Sequence, residues 1–168
     1  MRRRAGREIA LCGVMAALAV TVMFLGTLIP IATFVCPMLC MMVLSFVLTM
    51  VGRKLAWVWY VAVAVLSLLL VPDKEACTVF VFFGYYPIVK PWFDRRRPSF
   101  LWKLVLFNVL IFLMYGLLIW VLGLQSVAED LQEAGTVVTV ITLILGNVTL
   151  FMLDVLLGRF GALAKRKR

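Results

Sequence analysis

The chain has 168 residues, 65% of them apolar and only 15% charged, with a mean hydropathy of +1.10. Soluble domains average about 45–50% apolar and about 25% charged, so a water-soluble globule is excluded for want of polar surface, and so is a disordered chain. Lys and Arg total 17 against 8 Asp and Glu, a net +9, which in so apolar a chain points to basic loops on the cytoplasmic side of a membrane rather than to nucleic acid.

A spanning helix uses about 20 residues, so this length accommodates six spans with short links. A soluble catalytic or ATP-binding domain is not expected within it. Residues 1–8 carry Arg2, Arg3, Arg4 and Arg7 and lead into an apolar run at 9–29, the first expected span. Ala17-Leu18-Ala19 imitates a signal-peptide cleavage site, but the apolar run continues past it, which predicts an uncleaved helix. Pro30 and Pro37 then bracket residues 31–36. Each proline removes a backbone donor and disfavours helix just before it, so this segment is expected to be irregular. The second span, 36–51, is short for a crossing and is expected to be tilted, shielded by neighbours or extended into that segment.

Gly52-Arg53-Lys54 ends it. The third span, 55–71, opens with Trp57, Trp59 and Tyr60, where an aromatic belt belongs. Asp73, Lys74 and Glu75 form a polar turn after Pro72. The fourth span, 76–89, is interrupted by Gly84 and Pro87. Residues 90–99 are a basic loop containing Arg95, Arg96 and Arg97. The fifth span, 100–124, a polar loop with Glu129, Asp130 and Glu133, the sixth span, 135–157, and a basic tail complete the chain. With six spans the loops alternate sides. Sixteen of the 17 basic residues then fall on one side, and Lys74 alone faces five of the eight acids on the other. The expected fold is an all-α bundle of six transmembrane helices in one domain, 1–168, in a bacterial plasma membrane with both termini cytoplasmic.

The chain has no histidine, which removes the usual general base and the commonest metal ligand, together with Ser-His and Cys-His nucleophile pairs. No phosphate-binding glycine loop is present. Cys36 and Cys40 lack the companions of a zinc site. No enzyme activity, metal or cofactor is therefore expected. With Cys77 these cysteines fall near the outer face, where either a disulfide or small apolar packing residues fit the pattern.

Strongly polar groups at membrane depth are costly and are paired or functional. Asn108 and Asn147 both lie roughly 13–17 Å from the cytoplasmic boundary at 1.5 Å per residue. They are expected to bond each other as helix glue or to hold a polar ligand. Lys103 and Asp154 lie about one turn inside the same boundary of adjacent spans and are expected to form a structural ion pair, with Arg159 as the alternative cation. Irregular backbone at membrane depth needs cover from protein or a watery cavity. Residues 30–37, including Phe34, are thus either a lid over an outward-facing cavity, with Asp73, Lys74 and Glu75 beside it, or an ordinary outer loop. In span 1, Gly13, Ala17 and Thr21 recur every four residues with Cys12 and Ala16 beside them. Such faces allow close helix approach, within the bundle or against a partner.

Six short spans with both ends inside, the small face Cys12, Gly13, Ala16 and Ala17, the apolar 30–37 loop and the opening IALCGVMAALA (9–19) together resemble the substrate-binding S component of energy-coupling-factor (ECF) vitamin transporters. The stretch PDKEACTVFVFFGYYPIVK (72–90) is similar to a segment of uncharacterised relatives of that group. The resemblance implies a protein without chemistry of its own. It would take a vitamin-like small molecule from outside beneath the 30–37 loop, and work with a transmembrane coupling subunit and cytoplasmic ATPases docked through Gly13, Ala16 and Ala17. No signature for riboflavin, thiamine, biotin or folate accompanies it. The alternative is a non-transporting six-span scaffold, similar in layout to the rod-shape protein MreD, whose basic inner face recruits partners. A self-sufficient channel or exchanger would need a polar path, and Asn108 and Asn147 alone make a poor one.

Overall fold

The computed structural model describes residues 2–28, 32–94, 99–120 and 135–166. Every regular element among them is a helix: α1 (Arg2–Gly26), α2 (Ala32–Val51), α3 (Arg53–Leu70), α4 (Lys74–Phe83), α5 (Tyr86–Phe93), α6 (Ser99–Trp120) and α7 (Gly135–Arg166). Within α1, α2 and α3, the segments Gly6–Gly26, Phe34–Val51 and Arg53–Leu70 are long and apolar enough to cross a membrane, and Leu101–Leu117 of α6 is a shorter apolar stretch. In lipid, helices satisfy every internal backbone group without water.

The chain divides into two compact units, Met1–Trp92 with Arg159–Arg168, and Phe93–Gly158. In the first, α1 packs on α2 and α3, and α4 packs on α2 and α3. The core gathers Ala19 and Met23 from α1, Cys40, Leu44 and Val47 from α2, Trp59 and Val63 from α3, and Cys77 and Phe80 from α4. The small residues among them let the helices close up. Cys40 Sγ donates to the Ala19 carbonyl at 3.3 Å, Cys77 Sγ to the Ser67 carbonyl at 3.2 Å, and Trp59 Nε1 to the Cys12 carbonyl at 3.0 Å. These bonds fasten α2 and α3 to α1, and α4 to α3. Cys36, Cys40 and Cys77 are buried free thiols, used as packing residues.

The segment expected to be irregular is helix from Ala32 onward, and Pro37 lies inside α2. Pro37 is the sixth residue of that helix, so it forfeits the ladder bond to the carbonyl of Thr33, and the helix continues through it. The described part of 30–37 is therefore not an irregular lid; Pro30 and Ile31 lie outside the described residues. Between α2 and α3 a single residue turns the chain. Gly52 adopts φ 84°, a left-handed conformation that only glycine enters without strain.

The expected interruption of the fourth span is a full break, with α4 ending at Phe83 and α5 starting at Tyr86. The chain turns there under Tyr60 of α3. Its hydroxyl donates to the Val81 carbonyl, an acceptor near the end of α4 that α4's own ladder cannot be counted on to serve. Gly84 makes room for this contact: a Cβ there would overlap the Phe80 carbonyl oxygen and reach within 2.9 Å of Tyr60 Cε2.

Candidate functional site

In the second unit, α6 buries Phe107 and Met114, and α7 buries Leu150, Leu153 and Leu157. Two polar layers join the two helices. Lys103, in the second turn of α6, extends its ammonium to Asp154 Oδ2 at 2.9 Å and to Asp94 Oδ1 at 2.5 Å. The Lys103 and Asp154 side chains are each 10% exposed, that of Asp94 45%. Taking an ammonium and a carboxylate out of water costs several kcal/mol per ion. A second carboxylate at hydrogen-bond distance gives Lys103 two of the three acceptors its ammonium can use. The structure thus brings Lys103 and Asp154 together, and Arg159, further along α7, is exposed. Asp94 is the member that sequence reading missed. The available signal was a lone acid in an otherwise basic loop, nine residues before the lysine it serves.

The second layer is the asparagine pair. Asn108 Nδ2 donates to Asn147 Oδ1 at 3.2 Å, and Asn147 Nδ2 returns a bond to Asn108 Oδ1 at 3.3 Å. Each amide nitrogen also bonds a carbonyl one turn back in its own helix, Leu104 at 2.8 Å and Leu143 at 2.9 Å. Both donors of both amides are therefore spent. A ligand acceptor could use these nitrogens only by displacing one of these bonds, so the geometry is that of helix glue.

In the first unit the polar turn after α3 is built into the fold. Asp73 caps α4, its Oδ1 accepting from Ala76 N at 3.0 Å, the usual role of Asp at that position. Lys74 Nζ donates to the Leu68 carbonyl at 2.7 Å and the Val71 carbonyl at 3.0 Å, satisfying acceptors that the end of α3 leaves open. Glu75 is half-buried in the first turn of α4, and Phe34 is 43% exposed on α2. The polar atoms of Asp73 and Lys74 thus hold a corner between two helices. The candidate ligand residues fall in both units, Phe34 and 73–75 in the first, Asn108 and Asn147 in the second.

Along α1, Gly13 and Ala17 are exposed and Ala16 is half-buried. A Cβ on Gly13 would meet nothing within 4 Å. Thr21, next on this face, donates its hydroxyl to the Ala17 carbonyl at 2.8 Å, so the stripe offers small surface without an open polar group. The expected acidic cluster of Glu129, Asp130 and Glu133 and the basic run Arg95–Arg97 lie outside the described residues. Comparison with known proteins finds no matching family model, no matching curated protein and no matching solved structure.

Proposed function

We propose that this chain is a six-span subunit of a bacterial plasma membrane, with both termini cytoplasmic, that has no catalytic residues of its own and acts through partner proteins. The observation that carries this reading is α1. This helix, whose segment Gly6–Gly26 is long and apolar enough to cross a membrane, presents Gly13 and Ala17 outward, small residues of the kind that let another membrane helix approach closely. In the form suggested by the resemblance to ECF S components, the subunit binds a vitamin-like small molecule. A separate transmembrane coupling subunit and cytoplasmic ATPases then energise uptake.

A second reading, the membrane scaffold, gains from two features of the described structure. Residues 32–37 are helix rather than a mobile-looking lid, and Asp73 and Lys74 are engaged in ending and starting helices. Both features leave less of the outer end for a ligand. Purification of the tagged full-length chain from its host in mild detergent separates the two. Uptake predicts stoichiometric recovery of a membrane coupling subunit and ATPases, loss of that recovery in Ala17→Trp with helix content unchanged, and a transport defect on deletion. The scaffold predicts membrane partners without ATPases and unchanged uptake. Recovery of the chain alone, with Ala17→Trp without effect, refutes the subunit reading in both forms.

A further inference from the structure

One surface of α3 belongs to neither the bundle core nor the polar seam. Arg53 and Lys54 are exposed at its start. The ion pairs of Lys103 with Asp94 and Asp154 involve neither of them. Directly beyond them, on the same helix, Trp57, Val58, Val61 and Ala62 line an open groove of about 430 Å³. Every lining residue is apolar, and Val58 and Val61 are 67% and 53% exposed. The wall nearest the cations is held in place. The Trp57 ring lies nearly parallel to Tyr85, centroids 6.3 Å apart at 14°, and edge-on to Tyr60 at 5.9 Å and 79°. Tyr60 is in turn fixed by its bond to the Val81 carbonyl. The Trp57 side of this shallow groove is thus fixed before any occupant arrives.

A pair of cations above a shallow apolar groove is complementary to one kind of molecule, an amphiphile with an anionic head and an apolar tail. From Arg53 to Ala62 the helix rises roughly 14 Å, close to half the ~30 Å hydrocarbon thickness of a bilayer. One acyl chain in one leaflet would run that distance. Basic side chains at a membrane surface each gain about 1 kcal/mol from anionic lipid, and Arg in addition offers a fork that matches a phosphate. We infer that the face formed by Arg53, Lys54 and the Trp57–Ala62 groove is a binding site for a single anionic phospholipid, with the headgroup phosphate on the two cations and an acyl chain along the groove. This rests on the membrane reading and not on the identity of any partner protein.

The test is native mass spectrometry of the full-length chain released from vesicles of equal parts phosphatidylglycerol and phosphatidylcholine. The wild type is expected to retain phosphatidylglycerol at least fivefold over phosphatidylcholine. Arg53→Gln with Lys54→Gln abolishes that preference, and Arg53→Glu with Lys54→Glu reverses it, a gain that misfolding cannot produce. Trp57→Ala lowers retention of both lipids, and Arg7→Gln, a change at another exposed cation, leaves the preference intact. A wild type without headgroup preference, or a preference that survives the charge reversal, overturns the site. So does a groove filled by a second copy or a partner helix, which would hold equal lipid whatever the headgroup. Release of the chain from membranes by alkaline carbonate would overturn the membrane reading and the lipid site with it. Integral behaviour without headgroup selectivity would overturn the lipid site alone.

Discussion

Removing the Lys103 ammonium should be far more damaging than removing either carboxylate, because Lys103 is the only member that both of the others face. In Lys103→Met the buried Asp154 loses its 2.9 Å partner and Asp94 its 2.5 Å partner. Breaking a buried pair by deleting one member costs about 3–5 kcal/mol, roughly a hundredfold to a few thousandfold in the folding equilibrium. Asp154→Asn leaves Lys103 bonded to Asp94 and should cost less, about 1.5–3 kcal/mol for one charge-assisted hydrogen bond. Asp94→Asn removes a contact whose carboxylate is 45% exposed and should cost about 1 kcal/mol or less after solvent screening. Lys103→Met combined with Asp154→Leu replaces the buried pair by apolar groups, often a near-neutral change. It should recover at least about 2 kcal/mol relative to Lys103→Met alone, the sign of direct coupling. The assay is reversible unfolding in mixed micelles with increasing denaturing detergent, followed by far-ultraviolet ellipticity. The reasoning is refuted if Lys103→Met is as stable as the wild type, or if Asp94→Asn costs as much as Lys103→Met.

Three further outcomes follow from the geometry. Asn108→Leu should destabilise by about 0.6–1.7 kcal/mol, the range for hydrogen bonds between membrane helices, and Asn108→Leu with Asn147→Leu should cost less than the two single changes summed, measured by the same titration. Gly84→Ala should lower thermal stability by about 1–3 kcal/mol, since its Cβ meets Tyr60 and the Phe80 carbonyl, whereas Gly13→Ala, inside α1 and with nothing within 4 Å of its Cβ, should raise it by about 0.5–1 kcal/mol. Phosphatase and fluorescent-protein fusions should place residue 54 and the C-terminus on the cytoplasmic side and residue 74 outside; the same side for 54 and 74 would refute the proposed six-span sidedness.

The seam between α6 and α7 was legible because depth is countable. In the expected spans Lys103 and Asp154 lie at matching distances from one boundary, as do Asn108 and Asn147, and antiparallel helices at equal depth bring such residues face to face. Asp94 was hidden by its place in a loop, where helical counting gives no position. The helix over residues 32–37 departs from the sequence pattern for a different reason. Pro37 reads as a helix breaker, yet the apolar run around it stays helical at the loss of one ladder bond. Asp73 follows Pro72 and precedes an apolar run, the ordinary pattern of a helix cap. Its capping of α4 is legible in that pattern. The trio of Trp57, Tyr60 and Tyr85 could not be foreseen, because it depends on where the break at Gly84 directs α5, and that direction is set by packing rather than by local pattern.

The bond from Trp59 to the Cys12 carbonyl joins residues 47 positions apart, and the Cys40 bond to Ala19 joins residues 21 apart. They give the first unit an order of construction. When α1 leaves the ribosome neither donor yet exists, so α1 can be secured only after α2 and then α3 have followed it. During that interval the face of α1 that will carry Ala19 and Met23 is as open as the one that carries Gly13 and Ala17. A truncation before residue 40 should therefore yield an α1 that associates indiscriminately. One that extends past residue 59 should leave only the small-residue side available, so that the chain's own synthesis determines which surface a later arrival can find.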